Sequence, residues 1–293
     1  MFLLSQPTEI LAQRYVSLNV DNDLYFGIDR YYSSGIFLGF GTQQKRSFDP
    51  SSWKNWVSQH WTLGQEINTP TLKLTKDISR MDYPYNGWLF LGYEEDWFRS
   101  PDLGLGWGLS FGTTGAKASL AQFFQNTYHI YILKLDPLSW AAAIPQAFHV
   151  NAKTLFFWGK SLSSKLKWVG RHQLQAGSFR TAAESRLGLQ LGSLPGLPFF
   201  GSRLEVLQNG ISFFLGTVLE YSLHDYSLSG SVFSSNSPFS LEATSFRNRY
   251  QFGFFGQHLP WKFHVLWNYS SAYISNQKYR GHPFLNITIS YLF

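Results

Sequence analysis

Residues 14–43 read RYVSLNVDNDLYFGIDRYYSSGIFLGFGTQ, a strand, a short polar connection and a second strand. Val16, Leu18 and Val20 alternate with Ser17, Asn19 and Asp21, a period-2 pattern with one apolar and one polar face. At the end of the first strand stand Asn22 and Asp23. The connection adds Asp29 and Arg30, and the second strand opens on Tyr31, Tyr32, Ser33, Ser34 and Gly35. These turn-forming residues suit a hairpin loop. They also gather hydroxyl, amide and carboxylate groups at one rim of two apolar-edged strands.

The same two-faced pattern recurs along the chain. In 165–175, Lys165, Lys167, Arg171, Gln173 and Gln175 alternate with Leu166, Trp168 and Leu174; 184–191 and 247–254 behave alike. In 261–269, Lys262, His264 and Asn268 oppose Trp261, Phe263, Val265, Trp267 and Tyr269. About twelve such segments are expected, an even number as single-chain outer-membrane barrels have. No second set of apolar faces is left to cover them, so lipid is the expected partner of the aromatic faces.

Composition agrees. Of 293 residues only 14% are charged, against about 25% in an average soluble domain. The 11 Trp, 16 Tyr and 27 Phe suit girdles at two membrane interfaces. No window holds the ~18 consecutive apolar residues of a transmembrane helix, so a membrane chain of this kind must close a sheet on itself. A closed antiparallel transmembrane β-barrel, one domain over 1–293, is the expected fold. A large soluble β-sandwich or β-barrel is the alternative.

The charge of +6 is spread through alternating strands rather than gathered in a patch, which argues against nucleic acid and for a lumen or rim facing anionic head groups. Cysteine is absent, so no disulfide framework or thiolate metal site exists. The opening MFLLSQPTEILAQ lacks a basic region and a proper apolar core, so a complete signal peptide is not expected there. The last strand, FLNITISYLF, ends on Phe293, a terminal aromatic like that by which outer-membrane barrels are recognised for insertion.

Two segments interrupt the meander. Residues 68–86 (NTPTLKLTKDISRMDYPYN) form a long loop carrying Lys73, Lys76 and Arg80; loops of that length are usually functional or mobile. Residues 117–134 (KASLAQFFQNTYHIYILK) have helical periodicity, with Leu120, Phe124, Tyr128 and Ile132 on one face. Gln122, Gln125, Asn126 and His129 fall on another face, Gln125 and His129 one turn apart. A short helix at the barrel mouth or in its lumen is expected. A lone helical His is commonly structural, and His129 is weighed against that.

Together, Asn22-Asp23, DRYYSSG at 29–35, TP at 69–70, DYPYNGW at 82–88, Gln125-Asn126-x-x-His129 and LHDYSLSGSVF at 223–233 resemble the outer-membrane lipid A 3′-O-deacylases, in the same order over nearly the whole chain. The resemblance implies a twelve-stranded barrel in the Gram-negative outer membrane, expected as a monomer. It would hydrolyse an ester of lipid A in lipopolysaccharide with the help of Ca²⁺. It implies His129 as the base that activates water, Asn22, Ser33 and Gln125 as further catalytic residues, and Asp23 as the metal ligand. Asn22, Asp23 and Asp29 are the most compact set of hard oxygen donors near the expected mouth. Lys73, Lys76 or Arg80 would hold the lipid A phosphate.

The chain also departs from that pattern. The family's DRPYAGW has Tyr83 in place of its Arg, a contact that Arg80 could take over. The acidic residue the family carries shortly after its His falls in LDPLSWAAAIPQ, where Asp136 is the candidate. Two rivals are an outer-membrane phospholipase and a porin-like barrel. None of the eight His is followed two positions later by Ser, against the phospholipase. About twelve strands enclose a bore that side chains can fill, against the porin.

Overall fold

A computed structural model describes residues 13–45, 49–194, 196–200, 209–231 and 241–293. Residues 1–12 of the opening segment, 46–48 of the first connecting loop and the last two residues of the 223–233 stretch lie outside the described residues. Every strand pairs antiparallel with its sequence neighbours, and the first pairs with the last, so the sheet has no edge. The strands are β1 (Gln13–Asn22), β2 (Tyr31–Lys45), β3 (Trp56–Thr69), β4 (Asn86–Ser100), β5 (Leu103–Thr114) and β6 (Phe148–Ser161). They continue as β7 (Leu166–Gly177), β8 (Arg180–Gly192), β9 (Gly210–Asp225), β10 (Phe246–His258), β11 (Trp261–Ser271) and β12 (Gly281–Leu292). Closure runs from Tyr15 opposite Leu292 to Asn22 opposite Leu285. Phe293 lies in the seam, its N–H donating to the Arg14 carbonyl at 3.0 Å.

The observed strands reach beyond the segments of clean alternation; β10 runs from Phe246 to His258 around the alternating 247–254 segment. A tilted barrel strand continues past the bilayer into rims, where alternation no longer reports which face meets lipid. Inside the membrane the two faces separate as expected. Val16, Leu18, Phe252, Trp261, Phe263 and Trp267 are exposed on the outer wall. Asn19, Asp21, His60, Glu94, Arg171, Arg186 and Arg249 line an internal cavity of about 460 Å³.

That cavity is closed toward the chain termini. Leu194, Leu197, Phe199 and Phe200, from the connection after β8, pack on Phe98, Leu155, Phe157, Phe214 and Leu266 in the largest apolar cluster. Arg186 and Gln190 donate to the Phe199 and Leu194 carbonyls, at 3.1 and 3.3 Å. Burying these side chains contributes about 1.5–3 kcal/mol each, which favours a filled bore over an aqueous path.

At the opposite end stands the helix. It comprises α1 (Ala121–Tyr128) and a π-helical turn at His129–Leu133. Of the two expected places it takes the mouth and not the lumen, and it lies against the outer face of the wall. Trp61 and Leu63 are exposed on the outer face of β3, whereas Gln65 and Ile67, on the same face nearer the rim, are buried at 8% and 5%. The helix segment covers them: Gln65 Nε2 donates to the Ser119 carbonyl at 2.5 Å, and Ile67 packs with Ala121. On β4, Gly87 makes this approach feasible, because a Cβ there would collide with Ser119 Oγ and Ala121 Cβ. Gly87→Val is therefore expected to lift the helix while the barrel still closes. Overpacking of this kind costs about 1–3 kcal/mol, and faster tryptic cleavage after the exposed Lys117 and Lys134, with unchanged heat-modifiable migration, is the expected outcome.

Candidate functional site

The helix turns its apolar side outward. Leu120, Phe124, Tyr128 and Ile132 are all exposed, as are Phe123 and Tyr131 at 64% and 66%. Its buried side is Ala121, Gln125 and His129. A surface helix in water shows the reverse arrangement. With its apolar side continuing the lipid-facing wall, the helix lies at the membrane boundary and presses its polar residues into the crevice behind it.

In that crevice His129 Nε2 lies 3.2 Å from Asp29 Oδ2, across 100 residues of sequence. Lys73 Nζ reaches the same oxygen at 2.5 Å. With Nε2–H donated to Asp29, the lone pair of the ring is on Nδ1, which is buried without a hydrogen-bond partner. Burial opposes the charge on Asp29, but the His129 hydrogen bond and the Lys73 ammonium outweigh it and hold the carboxyl below its ordinary 3.8. The carboxylate beside His129 is thus Asp29, which the sequence reading placed among the metal donors. Asp136, expected there, is exposed.

Asp23 follows β1 directly and caps a 3-10 turn at Leu24–Phe26. Its Oδ2 accepts the Arg30 N–H at 2.9 Å, while Oδ1 is buried without a partner. Burial first, and then the nearby Asp29 charge, push this carboxyl up to about 8 against the Arg30 N–H. An unpaired, buried carboxylate oxygen whose charge is disfavoured fits a hard divalent cation. Asn22 Oδ1 accepts from the Leu24 N–H at 2.6 Å and shapes the turn. Ser33 is the extra residue at a bulge in β2, buried, with Oγ donating to the Ile67 carbonyl at 3.3 Å. Gln125 is buried and its Oε1 lacks a hydrogen-bond partner.

The loops are tied to this centre. Lys73 is held through its own carbonyl, which accepts from Tyr85 Oη and from the Ser139 N–H. Tyr85 stacks on Trp140, their centroids 4.8 Å apart. Asn126 bonds both the N–H and the carbonyl of Leu138, fixing the helix to the return loop. Asp82 accepts from Thr71 and Tyr31 and folds the 70–85 loop back. Tyr83, where the family pattern has Arg, is buried in an apolar cluster against Tyr31 and makes no anion contact. Arg80 and Lys76 are exposed; Lys73 is the cation that reaches the His129 group.

The backbone is strained here. Among the described residues, those with positive φ other than glycine are Tyr31, Leu120, Lys134, Trp140 and Ala142. All belong to the segments just described. Such conformations cost of order 1–3 kcal/mol each and persist where surrounding structure over-determines them. The π turn begins at His129 itself, and turns of this kind are frequent at functional sites. His282, which no motif marks, also joins the centre. It is fully buried, its Nε2 2.9 Å from the Tyr32 carbonyl and 3.9 Å from Asp23 Oδ2.

A family model described as outer membrane protein LpxR matches residues 1–293. No curated protein sequence matches the chain. Among solved structures, LpxR from Salmonella typhimurium superposes with a TM-score of 0.78 at 16% identity, covering 95% of this chain and 100% of that one. The β domain of the Bordetella autotransporter BrkA gives 0.48 at 10% identity, with 96% and 98% covered. The translocator domain of NalP from Neisseria meningitidis gives 0.43 at 11%, with 96% and 88% covered.

Because Asp29 is depressed in the folded protein, its contribution to holding the helix is complete above its unfolded value of 3.8 and is lost as pH falls through the lower folded value. The chain lacks native cysteine, so a Phe123→Cys variant can carry one environment-sensitive label. An acid transition of that label below pH 3.8, absent when Asp29→Asn is added, is the expected result.

Proposed function

The chain belongs to the family of the outer membrane protein LpxR, a β-barrel of the outer membrane, and we propose that it is a lipid A deacylase acting as a monomer. The reaction is hydrolysis of the ester of the 3′-linked acyloxyacyl chain of lipopolysaccharide. The observation that carries this reading is the His129–Asp29 pair, its Nδ1 lone pair free, set behind a helix whose apolar side faces lipid. An ester that lives in the outer leaflet can reach such a crevice sideways without leaving the membrane.

His129 Nδ1 takes a proton from water, and the hydroxide so formed attacks the ester carbonyl carbon. As the imidazolium forms, Asp29 stabilises its charge, and Lys73 keeps Asp29 ionised and in place. Collapse of the tetrahedral intermediate breaks the bond to the sugar oxygen, which receives the proton from His129; a fatty acid leaves. Asn22, Ser33 and Gln125 orient water and carbonyl. Ca²⁺ would be held by Asp23 with oxygen donors of its turn, and when bound it supplies polarisation of the ester carbonyl. Lys76 and Arg80, exposed on the loop that carries Lys73, suit the phosphate of the substrate.

Mass spectrometry of lipid A from cells expressing the chain tests this directly: loss of one acyloxyacyl unit, abolished by a chelator, is expected. His129→Gln should lower turnover about 10²–10⁴-fold, the contribution of a positioned base. Asp23→Asn should raise the Ca²⁺ requirement, and His149→Gln and His264→Gln should retain activity. Unmodified lipid A from well-folded wild type would remove the proposal.

A further inference from the structure

We infer that the inner wall of the barrel carries a second, separate metal site for a divalent transition ion, formed by His60, Glu94 and Asp96. The site does not depend on the reading of the rim crevice. On β3 and β4, His60 stands opposite Glu94 and Ser58 opposite Asp96; His60 and Glu94 line the cavity, and Ser58 and Asp96, two residues along on the same strand faces, are buried. One donor atom from each of His60, Glu94 and Asp96 lies within 4.8 Å of the other two.

Three neighbours prepare these groups. Tyr15 Oη lies 2.6 Å from His60 Nδ1. With Nδ1–H donated to that hydroxyl, the Nε2 lone pair is left between Asp96 Oδ2 and Ser58 Oγ, each 3.4 Å away. A ligating His is ordinarily oriented by a partner of this kind on its other nitrogen. Lys153 pairs with Glu94 and braces it. Gly106, opposite Asp96 on β5, leaves the carboxylate its space, since a Cβ there would collide with Asp96 Oδ1.

Asp96 itself is the observation that asks for a cation. It is 0% exposed, and neither carboxylate oxygen has a hydrogen-bond partner. Among the described residues, no Lys or Arg pairs with it; Lys153 serves Glu94, and Arg171 faces Glu184. The nearest basic group to Asp96 is the His60 imidazole, 3.4 Å from Oδ2, and a buried carboxylate with no full cation beside it is strongly disfavoured. One imidazole nitrogen with two carboxylate oxygens suits Zn²⁺ and its neighbours better than Ca²⁺ or Mg²⁺, which prefer oxygen alone. His60 and Glu94 border the internal cavity, so a fourth, water-filled position opens toward it.

The test uses full-length barrel refolded in detergent and stripped with EDTA, then dialysed against Zn²⁺ with bound metal counted by mass spectrometry. An Asp23→Asn, His129→Ala background removes the rim donors. One equivalent of Zn²⁺ should remain in that background, and Co²⁺ should give visible absorption bands of a low-coordinate N/O site. Adding His60→Ala or Asp96→Asn should remove both signals. Tyr15→Phe should weaken binding about 10–100-fold, as loss of an orienting partner does. If His60→Ala or Asp96→Asn fails to show heat-modifiable migration, Glu94→Gln and Tyr15→Phe carry the comparison. No Zn²⁺ in the background protein, or equal Zn²⁺ in it and in the lumen variants, overturns the inference. Loss of all Zn²⁺ with the rim substitutions alone assigns the metal to the crevice and also overturns it.

Discussion

The constraint on which everything else rests is the closure of β1 on β12. A bilayer interior has no water to satisfy backbone N–H and C=O groups, so a sheet that crosses it can have no edge. Ten residues of β1 pair with β2 and eight of them with β12, and even Phe293 is drawn into the seam. Once the sheet is closed, each strand has one face toward lipid and one toward a narrow bore. The alternation of Val16, Leu18 and Val20 with Ser17, Asn19 and Asp21 follows from that alone.

A polar bore this narrow neither collapses on itself nor packs throughout with apolar side chains, and it keeps a cavity of about 460 Å³. The chain resolves this by dividing it. Near the termini the connection after β8 turns Phe199 and Phe200 inward to build an apolar plug. Toward the other end, charges are paired across strands, as in Arg247 with Asp225 at 2.9 Å. Asp96 differs in its partner: the basic group beside it is the His60 imidazole, 3.4 Å away, and not a Lys or Arg.

Apart from the bore, a second set of polar residues stands between the outer wall and a helix laid upon it. Asp29 is the hub of that crevice: it joins a connection after β1, the long loop before β4 through Lys73, and the helix through His129. The long loop and the helix are tied down by side-chain bonds to the Lys73 and Leu138 carbonyls, and the connection after β1 by Asp23, which accepts the Arg30 N–H. The outward apolar side of the helix gains about 1.5–3 kcal/mol for each large side chain moved from water into lipid. The membrane itself thus helps to hold the lid of the crevice in place.

The closed barrel was legible in the sequence because alternation with period two, scarce charge and abundant aromatics are local signals, each present within a single strand. The helix was legible too, and the i,i+4 spacing put Gln125 and His129 on one side correctly. Which side faces inward was not, since an apolar stripe on a helix is read as a core face unless the medium outside is known to be lipid. Likewise, Asp23 and Asp29 were visible as donors, but nothing local distinguishes a carboxylate left with an unpartnered oxygen from one aimed at a His 100 residues away. Asp136 looked nearer in sequence, and Arg80 looked like a replacement for Tyr83. Only the folded loops decide that Asp136 and Arg80 face out while Asp29 and Lys73 meet His129, and only closure of the seam brings His282 beside Asp23. The reason is physical: pattern reports the environment of a segment, whereas a site is set by which distant segments the closed sheet forces together.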